Sequence, residues 1–188
     1  MSKMSTKPPS SSLGCETILS VLARHVAKKP DHQLFRWVDK KGNVSGTLTY
    51  KQLWEQSCAV AQLLQTEGIK KGGRVMIAYP FGLEFLAGMF GCMILGVVGC
   101  SAYPPNPQRL TEELPAFNKK ATDAGAEYAL TTNAFRRFMN ISNITGNRTQ
   151  VSLHCCPILH NERELISFVH CCSGNLARYR YSECYHWW

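Results

Sequence analysis

From Arg74 to Pro107 the chain reads RVMIAYPFGLEFLAGMFGCMILGVVGCSAYPPNP, and its punctuation leaves few folds open. Val75–Tyr79 is a short apolar run suited to a strand buried on both faces. Pro80 and Gly82 turn the chain. Leu83 to Leu95 is apolar nearly all round, which predicts a buried helix ending at Gly96. A second run, Val97–Ala102, follows, and Pro104, Pro105 and Pro107 stiffen the exit. Strand, helix and strand in this order make a parallel βαβ unit, whose crossover is right-handed almost without exception. A rival reading is a membrane span, because the nineteen residues from Phe85 to Tyr103 carry no charge. Gly96, Val97, Val98 and Gly99 interrupt the helical character midway, however, and Glu84 stands at the entrance. The expectation is therefore no membrane span.

The neighbouring segments extend the same alternation. Cys15 to Lys29 is apolar at Ile18, Leu22 and Val26, a helical spacing stopped by Pro30. Gln33 to Val38 and Ser45 to Leu48 read as two strands joined by an Asp-Lys-Lys-Gly-Asn turn, a β-hairpin. Thr49-Tyr-Lys-Gln52 has the form of a capping box opening a helix, with Leu53, Val60 and Leu64 on its buried face and Gly68 at its end. A further helix is expected from about Leu114 to Ala124, stopped by Gly125, and then a strand at Tyr128–Thr131. The fold expected is α/β: a partial, open, mostly parallel sheet with flanking helices, preceded by a helix and a hairpin.

Apolar residues at 45% and charged residues at 18% are globular values. The net charge of +8 invites a nucleic-acid reading. Its distribution argues against one, since the cations come in pairs (Lys28/Lys29, Lys40/Lys41, Lys70/Lys71, Lys119/Lys120, Arg136/Arg137) expected at helix ends and turns. No aromatic residues interleave with them to stack bases. The leader, residues 1–14, lacks the apolar core of an export signal and reads as disordered. The nine cysteines are accordingly expected as reduced thiols in a cytoplasmic protein.

The block from Thr49 through Thr132 resembles the N-terminal part of the adenylate-forming superfamily of acyl-CoA synthetases and luciferases, and within it the fatty-acyl-AMP ligases. The resemblance rests on LTYKQL, on GGRVMIAYPFGLEFLAGMFGCMILGVV, and on AYPPNPQRL followed by an acidic helix and DAGAEYALTT. It begins near Thr17 and fades around Met139. It implies a two-step reaction in which a fatty acid attacks the α-phosphate of Mg-ATP, and a thiol of CoA or an acyl-carrier protein then takes the acyl group. It also implies that the fold is the first part of the adenylating enzyme's large domain.

That chemistry needs a loop rich in Gly, Ser and Thr around the triphosphate, acidic residues for Mg²⁺ and ribose, and a lysine for the developing charge. In family members these lie C-terminal to the segment seen here. The best local match, Thr145-Gly-Asn-Arg-Thr149, has one glycine and no lysine, and Ser10–Ser12 lie in the leader. No dinucleotide fingerprint follows the Val75 strand. No residue is therefore assigned a catalytic, cofactor-binding or metal-ligating role. Tyr103, Pro104 and Pro105 are read as a packed turn, and ATP and Mg²⁺ as cofactors of the full-length family, not of this stretch.

From about Asn147 the character shifts. The last 42 residues hold five of the nine cysteines and four of the six histidines. His154-Cys-Cys156 with His170-Cys-Cys172 suggests a zinc module, but adjacent cysteines point their thiols apart and no C-x-x-C is present. Residues 15–146 are thus read as a partial adenylation domain, and 147–188 as a Cys/His-rich tail foreign to the family sequence. The chain is expected to be an N-terminal fragment, inactive alone, with an open sheet edge that favours self-association or aggregation. The alternative is a non-catalytic interaction protein using the tail.

Overall fold

Thr17 accepts a hydrogen bond from the Ser20 N–H at 3.2 Å and so caps α1 (Ile18–Lys28), which buries Leu19, Leu22 and Val26 along one face. The computed structural model describes residues 16–80, 82–144 and 149–154, and the expected leader lies outside them. β1 (Gln33–Val38) and β2 (Val44–Thr49) form the expected antiparallel hairpin. Its turn is held by Asp39, whose Oδ1 accepts from the backbone N–H groups of Lys41 and Asn43, both at 2.8 Å. The Asn43 bond foremost, and the Lys41 bond after it, hold the Asp39 carboxyl below the usual carboxylate range.

β2 runs straight into α2 (Tyr50–Thr66) through the capping box. Thr49 Oγ1 accepts from the Gln52 N–H at 3.2 Å, and Gln52 Oε1 accepts from the Thr49 N–H at 3.0 Å. Two donors that the first turn would leave unpaired are thereby satisfied. Leu53, Val60 and Leu64 are fully buried on this helix, as their spacing requires.

The sheet follows. β3 (Arg74–Ala78), β4 (Val98–Ser101), β5 (Tyr128–Thr131) and β6 (Ser152–His154) are all parallel, in the order β4-β3-β5-β6. α3 (Leu83–Leu95) joins β3 to β4 and ends where Gly96 takes left-handed backbone at φ +70°. α4 (Leu110–Ala124) and α5 (Asn133–Ile144) make the next two crossings. β3 shows why both faces had to be apolar. Val75 and Ile77 pack with Val60 and Leu64 of α2 and Cys92 of α3, whereas Met76 and Ala78 pack with Leu114 and Phe117 of α4 and Phe135 and Met139 of α5. Each fully buried aliphatic side chain contributes about 1.5–3 kcal/mol of transfer free energy. A third apolar cluster, with Leu22, Leu48, Leu53 and Phe90, ties α1 and the hairpin to α2 and α3.

Three differences from the sequence reading stand out. α4 begins four residues earlier than Leu114, with Pro115 inside it. A 3₁₀ turn (Pro107–Arg109) leads in, nucleated by Asn106 Oδ1 accepting from the Gln108 N–H at 2.9 Å. Pro115 removes one donor on the exposed side of the helix, where water can satisfy the freed carbonyl. Lys119/Lys120 lie inside α4 and Arg136/Arg137 inside α5, not at helix ends or in turns.

Finally, α5 and β6 continue the alternation beyond Thr132. Val151 is buried with Met139, and Gln150 is tied to α4 by Thr122 Oγ1 (2.7 Å) and Asn118 Oδ1 (3.1 Å). The packed layer thus includes residues 149–154, past the limit near 146 that periodicity suggests. Cys155, Cys156, His170, Cys171, Cys172 and most of Thr145–Thr149 lie outside the described residues.

Candidate functional site

In an open parallel sheet, ligands sit outside the carboxyl ends of the strands, where neighbouring connections leave in opposite directions. Here that place falls between β3 and β5, because β3 is followed on one side by β4 and flanked on the other by β5. The crevice is bordered by Tyr79 and Pro80 after β3, Ala102 and Tyr103 after β4, and Thr131 and Thr132 at the end of β5.

The threonines and acids at this edge are engaged within the chain. The fully buried Thr131 hydroxyl donates to the Ala78 carbonyl at 2.9 Å, pinning the two central strands together. Thr132 Oγ1 accepts from the Phe135 N–H at 3.3 Å and caps α5. The Glu84 carboxylate, in the first turn of α3, occupies the space into which a Cβ on Gly82 would project. The N-terminal dipole of α3 is thus matched by its own acid. Asn106 donates its N–H to Glu113 Oε2 at 2.8 Å, and Arg109 bonds Glu112 at 2.7 Å, so the proline-rich exit is internally braced. Pro104 and Pro105 are buried as a packed turn would be, whereas Tyr103 is 61% exposed.

These donors and acceptors do not fit a magnesium nucleotide. The helix starts that could meet a phosphate already carry a carboxylate or a capping side chain, and the Thr131 and Thr132 hydroxyls serve the backbone. Among the described residues, no group of three or more His, Cys, Asp or Glu side chains stands close enough to hold a metal ion. His154, the one member of the suggested zinc set that is described, sits in β6. Its Nδ1 is 3.3 Å from Glu67 Oε1, and its ring lies 5.4 Å from that of Tyr128. Burial, and the Cys100 thiol after it, pushes Cys92 up to about 12, which removes it as a nucleophile at neutral pH. The His25 ring lies tilted against Tyr50, centroids 5.0 Å apart, and its imidazole is held below the usual histidine range by desolvation first and then by Lys29, Arg24, Lys28 and His32.

Two hollows lie elsewhere. A cleft of about 380 Å³ at the amino ends of β3 and β5 is lined by Lys70, Gly72, Arg74, Glu127 and Tyr128. Gly72 and Gly73 spend their N–H groups on the Gly96 and Lys70 carbonyls, both at 2.8 Å, so this basic turn offers no backbone cradle to an anion. The other, about 310 Å³, is an apolar groove between α3 and β4. Neither was legible in the sequence, because each is assembled from residues on separate elements. Among the described residues, no helix is long and apolar enough to cross a membrane.

Comparison with known proteins gives the geometry a context. The family described as AMP-binding enzyme matches residues 22–165. A medium-chain-fatty-acid–[acyl-carrier-protein] ligase of Moorena producens is 42% identical over 100 residues, 53% of this chain and 16% of that protein. The Drosophila melanogaster Disco-interacting protein 2 is 36% identical over 101 residues, 53% of this chain and 6% of its own length. The chain thus spans a small part of the curated relatives it matches. Among solved structures, the fatty acyl-adenylate ligase of L. pneumophila, in complex with acyl adenylate and pyrophosphate, superposes with a TM-score of 0.64 at 22% identity. The match covers 82% of this chain and 25% of the ligase. At that identity the likeness speaks for the fold alone.

Proposed function

Because this chain belongs to the AMP-binding enzyme family, we propose that it supplies the first α/β portion of a fatty-acyl-AMP ligase-like adenylating enzyme and has no adenylating activity by itself. The family match over residues 22–165 carries the reading. The parent reaction joins a fatty acid to AMP at the expense of ATP and passes the acyl group to a thiol of CoA or of an acyl-carrier protein. The relative from Moorena producens, named as a ligase of medium-chain fatty acids and acyl-carrier protein, supports the substrate class.

Within such an enzyme this chain's residues would supply one wall. β3 and β5 are locked by the Thr131–Ala78 bond, and the exposed Tyr103 after β4 stands at the same carboxyl edge of the sheet. ATP and Mg²⁺ would be held by other parts of the parent. We place the chain in the cytoplasm, in keeping with the free thiols at Cys58, Cys92 and Cys100, and expect it to self-associate when isolated. Trapping with hydroxylamine tests the reading: full-length chain with Mg-ATP and a fatty acid should give no hydroxamate above buffer. Turnover that depends on acid chain length would overturn it.

A further inference from the structure

Among the described residues, β4 is the end strand of the sheet and pairs with β3 alone. The Val98 N–H donates to the Gly73 carbonyl at 2.8 Å and the Ala102 N–H to the Ile77 carbonyl at 3.1 Å. By the alternation of a strand, the backbone groups of Val98, Cys100 and Ala102 therefore face β3. Those of Gly99 and Ser101 face outward, with no described strand against them. Natural edges are usually guarded by a lysine, a proline or a bulge within the strand. β4 has none of these: its sequence is Val-Gly-Cys-Ser, and Val98 is 53% exposed.

The same edge borders the 310 Å³ apolar groove, where Phe85, Met89 and Met93 of α3 stand beside Gly99 and Ser101. None of the groove's lining residues carries a charge. On a chain of net charge +8, this face can meet a copy of itself without like-charge repulsion.

We propose that β4 is a self-association edge, at which two copies of this chain pair antiparallel about a two-fold axis through Cys100. The geometry selects this register. Antiparallel pairing of identical strands is the arrangement that a two-fold axis permits. Placing the axis at Cys100 sets Gly99 opposite Ser101 of the second copy, and Ser101 opposite its Gly99. All four outward-facing residues then exchange hydrogen bonds. An axis at Gly99 or at Ser101 pairs half as many. In this register the two Cys100 residues form a non-hydrogen-bonded pair, with Cα atoms about 4.5 Å apart, inside the range of a disulfide. The two α3 helices come side by side on one face, and the methionines of each close the groove of the other. This names the surface for the self-association proposed above and rests on it, while owing nothing to adenylation.

Sedimentation of the full chain at several concentrations, under reducing conditions, tests it. Wild type should show a reversible dimer. Ser101→Pro removes an N–H that faces away from β3, so the sheet should survive, as circular dichroism will show, while dimerisation weakens at least tenfold. Val98→Lys, which places a cation on each edge, should weaken it likewise. When diamide takes two electrons and two protons from a pair of thiols, the dimer should be captured as a Cys100–Cys100 disulfide, identified by peptide mapping. Cys100→Ser should lose the cross-link and keep the reversible dimer. A wild-type chain monomeric at every concentration would overturn the self-association itself. A dimer indifferent to both edge variants, or cross-linked through other cysteines instead, would overturn only its assignment to β4.

Discussion

Gly91 sits where α3 crosses α2, and adding one methyl group there should measurably loosen the fold. A Cβ built on Gly91 would lie 2.5 Å from the Val60 Cβ, 2.6 Å from its Cγ1 and 2.9 Å from the Ser57 carbonyl oxygen. Carbon atoms rest comfortably about 3.5–4.0 Å apart, so the two helices must separate by about 1 Å. Val60 and Ser57 are fully buried, and the Ser57 hydroxyl is tied to the Leu53 carbonyl at 2.6 Å, leaving no free rotamer to yield. Overpacking of this kind costs about 1–3 kcal/mol, while alanine in place of glycine recovers about 1 kcal/mol of helix propensity. Gly91→Ala should therefore destabilise by up to about 2 kcal/mol net, read as a lower urea midpoint at unchanged slope. The cause can be separated from a general packing defect. In a Val60→Gly background the same substitution should cost about 1 kcal/mol less, because the colliding Cβ and Cγ1 are both gone. Costs of the two substitutions that simply add would refute a close α2–α3 crossing at this residue.

Three further perturbations probe other joints. Thr49→Ala should lower stability by about 1 kcal/mol through loss of the α2 cap, and Thr49→Ser should restore most of it, both read from urea midpoints. Thr131→Val keeps the shape but removes the donor to the buried Ala78 carbonyl. It should cost about 1 kcal/mol and speed amide exchange along β3 and β5 together. Asp39 has a carboxyl lowered in the folded chain, so its contribution is present above the ordinary carboxylate range and disappears as pH falls through the lowered value. The stability difference between wild type and Asp39→Ala should accordingly shrink on acidification, and a difference that grew would show the turn bonds to be misassigned.

How far the sequence carries can be judged from particular elements. The Thr49–Gln52 box, the Gly96 stop and the β5 boundaries are local signals, decided by residues within one turn of each other, and the structure has them where the sequence puts them. The start of α4 was obscured because Pro115 looks like a helix boundary, while the Asn106-Pro107 cap that opens the preceding turn is equally visible in the sequence. α5 left a helical trace in Phe135, Phe138 and Met139, two of which are buried, though that stretch was read as the fading end of a resemblance. β6 is three residues long and shows no period. Its place depends on Val151 packing against Met139 and on partners in α4. The Thr131–Ala78 bond joins residues 53 apart and could not be read locally. The carboxyl-edge crevice is likewise a product of strand order, which no single motif encodes.

The described residues form a folded family core whose threonines and helix starts are already engaged, leaving no seat for a magnesium nucleotide. One amide-resolved NMR titration of the full chain with Mg-ATP tests both halves at once. Well-dispersed signals are expected for Val75–Ala78 and Ala129–Thr131, staying in place as Mg-ATP is added. A saturable displacement of the Tyr79, Thr131 and Thr132 signals, or a collapsed spectrum in which those strands show no dispersion, would contradict this.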